Sequence, residues 1–339
     1  MPLLHPTLRY VPPGSIAGIR RRRRGAGFSY YDERGHLVTR PAELSRIRRI
    51  AIPPAWRDVW ICPDPQGHVQ ATGRDARGRL QYRYHPTWSE HRSGRKFGHL
   101  AEFCRALPRL RRRVRRDLAC PCLCRRSVAA LVVALIERGH LRVGNDEYSR
   151  ANGSFGATTL ERRHVNIDGD RIELRYRGKS GVQRVIQIED RRLARTLDRC
   201  LELRGARVFR CLDEAGRPRR VTSADVNAYL RDATGGTLTA KYFRTWAASV
   251  CCLARLAGHA APASPTAGKR AIRDVVGEVA ARLGHTPTVC RQSYVHPAVL
   301  GRFLEGKLSC SARLTDDKWR FGGSWVRVAE RALEDLIAT

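Results

Sequence analysis

Residues 283–297 read LGHTPTVCRQSYVHP. Upstream of this stretch Val275, Val276, Val279, Ala280 and Leu283 recur at helical spacing, so a helix should bury that face, and Gly284 stands where such a helix stops. Thr286 as an N-cap with Pro287 at the first helical position predicts a short second helix running to about Tyr294. His285 falls in the turn between the two helices. A tyrosine held this rigidly is a nucleophile, a ring that stacks on DNA, or an ordinary half-buried side chain. The chain has 10 tyrosines, most of which must be structural, so the rest of the sequence has to decide.

The 339 residues are enough for about two domains of the usual ~150 residues, each with its own core. Against 32 Asp and Glu stand 64 Lys and Arg, a net charge of +32. An excess of that size on a folded chain implies a polyanionic partner, and nucleic acid fits better than a membrane. The longest apolar run, Val128 to Ile136, is far short of the ~20 residues that span a bilayer. At the N-terminus, prolines break up the apolar residues ahead of the run Arg20 to Arg24. A signal peptide has its charge first and its apolar block second, so the expected location is cytoplasmic, at the nucleoid. Eleven cysteines, an odd number, then read as reduced thiols.

In chain order, the arginine run Arg20 to Arg24 precedes FSYYDERGHLV, where Gly35 marks a hairpin turn between two short strands. A helix over Ala42 to Arg49 stops before Pro53 and Pro54. Strand patterns follow at Val59 to Ile61, His68 to Thr72 and Leu80 to Tyr84, with turns at PDPQG and RDARG. The charged segment Glu90 to Lys96 is the expected boundary, with helical periodicity beginning after it. Cys120, Cys122 and Cys124 alternate in CPCLC. Thiolates at that spacing can take a soft metal, but the zinc signature needs a second matched pair. The expectation is a linker with small buried thiols and no metal. Ser127 reads as the cap of a helix with an apolar stripe from Val128 to Ile136, ending at Gly139, and Arg142 lies just beyond. Three strands are expected next, His164 to Ile167, Arg171 to Tyr176 and Val182 to Ile188, the second hairpin exposing Lys179 between glycines. After a helix from Ser223, Thr239 reads as the cap of a longer one carrying Arg244, with Lys241 one turn earlier on the same face. Cations at the positive end of a helix dipole point to an anionic ligand. Trp325, Ala329 and Leu333 suggest a closing helix. The fold class is α+β: a small antiparallel sheet domain over residues 1–92, then a mainly helical catalytic domain over 93–339 carrying a three-stranded antiparallel sheet.

Arg142, Lys179, Arg244, His285 and Tyr294 form the inventory that phosphoryl transfer to a tyrosine needs. The phenol attacks, two guanidiniums and an imidazole N–H stabilise the two non-bridging oxygens, and a lysine at a hairpin tip protonates the leaving oxygen. In RVGNDEY, YRGKSG, TAKYFRTWA and LGHTPTVCRQSYVHP, and in IPPAWRDVWICPDPQGHVQATGRDARGRLQYRYHPTW, the chain resembles the type IB DNA topoisomerases of the compact bacterial and poxviral kind. The resemblance covers nearly the whole chain. It implies a C-shaped clamp of two lobes on duplex DNA and nicking and religation through a 3′-phosphotyrosine at Tyr294, with no cofactor, neither ATP nor Mg²⁺. It also implies DNA contacts at Gln81, Tyr82, Tyr84 and Tyr148, and Arg74 and Lys241 are further candidates. Bacterial relatives commonly have Asn where this chain has His285, a basic residue at Glu161 and an acidic one at Tyr242. The expected state is a monomer.

Two other readings compete. Tyrosine recombinases share the chemistry but typically place His three residues before the second arginine, where this chain has Lys241, and they usually bring a helical DNA-binding domain. A non-catalytic DNA clamp would explain the charge by counterion release alone, yet has no need of all five catalytic residue types.

Overall fold

The computed structural model describes residues 7–312 and 324–338, and of residues 92, 93, 95, 96, 148 and 324 the backbone only. The chain divides into two compact units, residues 1–96 and 97–339.

The first unit is built on five antiparallel strands in the order β2-β1-β3-β4-β5: β1 (Ile19–Arg24), β2 (Gly27–Tyr31), β3 (Arg57–Ile61), β4 (Val69–Arg74) and β5 (Leu80–Tyr84). Helix α1 (Pro41–Arg49) buries Ile47 against Ile19, Val59, Ile61 and Ala71. The arginine run is itself a strand, exposed at every arginine but Arg21. Arg20 to Arg24 pair in register with Tyr31 to Gly27, and alternation sends successive guanidiniums to opposite faces. Arg21 turns inward and donates to the carbonyls of Pro53 (3.1 Å) and Trp56 (2.6 Å) in the proline-rich bend. The turn at Gly35 exists, with φ 85°, but beyond it the chain makes only the bridge Tyr31 to Leu37 and not a second strand.

Helix α2 (Pro86–Leu118) starts earlier than expected, so the charged segment 90–96 is already helix, and the division between the two units falls at its end. Helix α3 (Arg125–Gly139) is buried on every side from Ser127 to Ile136 instead of along one stripe, as befits a central helix wrapped by others. Its N-cap is Cys124; Ser127 lies inside and donates to the Cys122 and Cys124 carbonyls. Helix α4 (Asp146–Asn152) leads to the antiparallel sheet β6 (Val165–Asp168), β7 (Arg171–Arg177) and β8 (Gln183–Glu189). Then come α5 (Arg191–Glu202), the hairpin β9 (Arg210–Leu212) and β10 (Pro218–Arg220), α6 (Ser223–Thr234), α7 (Lys241–Leu256), α8 (Pro265–Leu283), α9 (Pro287–Ser293), α10 (Pro297–Leu304) and α11 (Ser324–Ala338). The expected α+β architecture is what forms. Thr239 is not a side-chain cap: α7 starts after Ala240, and the Thr239 carbonyl accepts from Tyr242 N at 3.0 Å.

One buried polar knot ties four helices. Glu330 of α11 accepts two bonds from Arg111 of α2 (2.7 and 2.8 Å) and one from Trp246 Nε1 of α7 (2.9 Å), while Arg111 Nε donates to Glu137 of α3 at 2.7 Å. Burial drives the Glu137 carboxyl upward and the Arg111 guanidinium opposes it. Such a pair is tolerable in the interior only while every member keeps its partners.

Candidate active site

Four of the five candidate residues arrive at one place because four element ends meet there. Helix α3 stops when His140 adopts a left-handed conformation (φ 52°, ψ 35°), and Leu141, 1% exposed, anchors the chain just before Arg142. The Arg142 and Val143 carbonyls are held by Ala157 N and Thr158 N, each at 2.8 Å. This return loop explains the glycine density after Arg142: a Cβ on Gly156 would stand 2.7 Å from the Arg142 carbonyl and from Gly144. Arg244 projects from the first turns of α7. Gly284, at φ 65°, ends α8, and His285 N closes the turn on the Ala280 carbonyl at 2.8 Å. Thr286 caps α9 through Val289 N, and Tyr294 is the residue at which α9 ends.

Arg142 Nη2 lies 3.3 Å from His285 Nδ1, and Arg244 Nη2 lies 2.7 Å from His285 Nε2. Burial first, then the charges of Arg244, Arg142, Arg184 and Lys179, push the His285 imidazole down to about 2, so the ring is neutral. A neutral ring accepts at one nitrogen only. Its other nitrogen carries the proton, so on one side of the ring a donor faces a guanidinium, donor against donor. The Tyr294 ring lies 4.0 Å from the His285 ring between centroids, and its phenol is within hydrogen-bonding range of Arg142. Arg244, 4% exposed, also donates to the carbonyls of His140 and Leu283, tying the end of α3 to the end of α8. Burial, then Arg142, lowers its proton affinity; burial does the same to Arg142. Among the described residues no carboxylate pairs with either guanidinium. Buried cations without a carboxylate are costly, and what would offset that cost is an anion from outside.

Lys179 is exposed at the turn between β7 and β8, and its charge reaches His285. Arg184 was not anticipated. It shares the core-facing phase of β8 with buried Ile186 and Ile188, a charged residue in an apolar phase, which is the signal that marks it. Its Nη2 donates to the Arg282 carbonyl at 2.8 Å, just before Gly284, and its charge acts on Arg142, Arg244 and His285.

Of the other candidates, Tyr82 and Tyr84 are 42% and 44% exposed and stack with their centroids 5.9 Å apart on edge strand β5. Gln81 Nε2 donates to Asp75 at 3.0 Å, and Arg74 Nη1 to the Gly78 carbonyl at 2.8 Å, so both are partly engaged by their own hairpin. Lys241 is exposed at the start of α7. The Tyr148 side chain lies outside the described residues. Glu161 adds no bare negative charge, since Arg163 (2.8 Å) and Arg207 (3.4 Å) pair with it, and Tyr242 packs on Phe103 and His99.

The Cys120, Cys122 and Cys124 thiols are not buried as expected: Cys122 is exposed and the other two half-buried. Burial raises the Cys124 thiol, but bonds from the Ser127 and Arg126 backbone, Cys122 and the Ser127 hydroxyl outweigh it and bring the thiol down to about 7.

Residues 86–314 match the family model of the eukaryotic DNA topoisomerase I catalytic core, and residues 27–75 that of the bacterial DNA topoisomerase IB N-terminal domain. The DNA topoisomerase 1B of Acanthamoeba polyphaga mimivirus is 31% identical over 289 residues, 83% of this chain and 85% of that protein. Among solved structures, the XerH site-specific recombinase bound to a palindromic difH substrate, in a post-cleavage complex, aligns with a TM-score of 0.35 and 15% identity over 55% of this chain and 47% of that one. Both family models are of DNA topoisomerases. The chain belongs to the type IB DNA topoisomerase family.

Proposed function

We propose that this topoisomerase relaxes supercoiled duplex DNA by cutting one strand with Tyr294, letting the strand swivel, and resealing it. The Tyr294 oxygen attacks a backbone phosphorus, the bond from phosphorus to the 5′ oxygen breaks, and a 3′-phosphotyrosine forms. The phenol proton goes to solvent, and Lys179, exposed at its hairpin tip, protonates the departing 5′ oxygen. Arg142, Arg244 and the imidazole N–H of His285 hold the non-bridging oxygens as charge builds on them. Donors fixed in a dry site are worth about 10²–10³ in rate each. Religation is the reverse, with the phosphotyrosine conserving the energy of the phosphodiester, so the cycle uses no nucleotide and no divalent cation.

The observation that carries this reading is the His285 imidazole set between two guanidiniums, 3.3 Å from Arg142 and 2.7 Å from Arg244, with the Tyr294 ring 4.0 Å away. Two donors facing each other are reconciled by an anionic oxygen placed between them. The protein acts as a monomer on the nucleoid. The test is relaxation of supercoiled plasmid in EDTA: the wild type relaxes it, while Tyr294→Phe binds DNA and leaves it supercoiled. A Tyr294→Phe protein that still relaxes plasmid overturns the assignment, and a wild type that binds without relaxing makes the protein a passive clamp.

A further inference from the structure

Outside the active site, thiol chemistry is concentrated in one place. Of the eleven cysteines, seven are buried; Cys310 is half-buried, and the remaining three are Cys120, Cys122 and Cys124. Their sulfurs all lie within 4.8 Å of one another. The bend at Pro121 and Cys122 accounts for this: it curls the chain so that the three thiols gather on one side while Leu123, 6% exposed, goes into the core. The loop is pinned from both flanks. Leu123 O accepts from Leu212 N of β9 at 2.8 Å, and Ser127 Oγ donates to the Cys122 and Cys124 carbonyls at 2.7 and 3.0 Å.

We infer that Cys120, Cys122 and Cys124 form a three-thiolate site for a single soft, thiophilic d¹⁰ cation. Sulfurs that share a zinc-sized ion at ~2.3 Å lie about 3.8 Å apart, inside the 4.8 Å envelope of the three. Cys120 and Cys122 are closer than that, 2.7 Å between sulfurs, and need only to part by about 1 Å, which an exposed turn allows. Cys122 and Cys124 also line a groove of about 500 Å³ with Arg199, Glu202, Leu212 and Asp213. Water from that groove completes a tetrahedral Zn(II), whereas Cu(I) is satisfied by three sulfurs. The Asp213 carboxylate is not a competing ligand, because Ala215 N, Arg217 N and Arg219 already hold it. Arg199, which donates to the Pro121 carbonyl, lies beside the loop and offsets part of the negative charge of three thiolates. A bound ion would clamp the turn from α2 into α3, the helix whose far end delivers Arg142.

The test uses the whole 339-residue chain, reduced and freed of metal by chelator. Cd(II) serves as reporter through its thiolate charge-transfer absorption, and equilibrium dialysis with Zn(II) and, under anaerobic conditions, Cu(I) separates the two ions. One equivalent should bind with the band of three thiolates. Cys122→Ser, which alters an exposed side chain and no packing, should weaken binding at least tenfold; the triple serine variant should bind none, and Cys310→Ser should bind as the wild type does. Plasmid relaxation and circular dichroism of the triple variant establish that it is folded. Absence of uptake by the wild type, or equal uptake by the triple variant, overturns the proposal.

Discussion

His140 offers a quantitative test of how the site is wired to the fold. It is 5% exposed at the left-handed end of α3, and its carbonyl accepts from Arg244. Burial, then the charges of Arg244, Arg282 and Arg184, push its imidazole from 6.5 down to about 3. A depressed folded value means that the unfolded chain takes up a proton first. The stability held by neutral His140 is therefore complete above pH 6.5 and lost as pH falls from there toward 3. Each pH unit below the unfolded value costs about 1.4 kcal/mol, so between roughly pH 7 and pH 5 this side chain alone should remove about 2 kcal/mol. Because the folded imidazole stays neutral throughout that window, the loss is set by the unfolded chain. Asn tolerates the positive φ and does not titrate. Urea unfolding of His140→Asn and wild type, followed by tryptophan fluorescence at the two pH values, should show the variant losing about 2 kcal/mol less on acidification, whatever the substitution costs at neutral pH. Equal losses in the two proteins would refute the reasoning.

Three further outcomes follow from the geometry. Arg244→Lys keeps a charge but cannot reach His140 O, Leu283 O and His285 together; single-turnover cleavage should slow by about 10²–10³ with duplex affinity nearly unchanged. Arg184→Ala removes the bond to the Arg282 carbonyl and one positive charge facing His285. Cleavage should slow about tenfold, a cost of about 1.4 kcal/mol, and the His285 imidazole, followed by NMR titration, should gain proton affinity. Glu330→Ala strands Arg111 beside Glu137 and leaves Trp246 Nε1 without its acceptor, so urea unfolding should report a loss of about 3–5 kcal/mol.

The elements that arrange the site were legible where a local rule had no rival. Gly284 after an apolar helical face and Thr286-Pro287 before the next helix leave one solution, and the chain adopts it. The strands β3 to β8 were legible for the same reason, alternation bounded by turn residues. Charge hid the rest. The arginines of β1 concealed a strand because the pattern of burial on it is set by pairing with β2 and β3, which no local window contains. The arginines of α5 concealed a helix that Asp190 caps and Leu193, Leu197 and Cys200 bury. At the site, the sequence supplied the residue types but not the second duty of Arg244, whose bonds to two carbonyls depend on which helix ends converge. Arg184 escaped for a related reason: besides Tyr176 across its own hairpin, its partner is the Arg282 carbonyl in the last turn of α8, remote in sequence.

The unbalanced positive charge at the candidate active site has a practical consequence. Since no carboxylate among the described residues pairs with Arg142 or Arg244, a small oxyanion in the buffer can neutralise them. Inorganic phosphate and sulfate should then play two parts at once, raising the melting temperature of the DNA-free protein while standing in the way of the substrate backbone. Rates measured in phosphate and in chloride at equal ionic strength would differ for reasons that have nothing to do with screening.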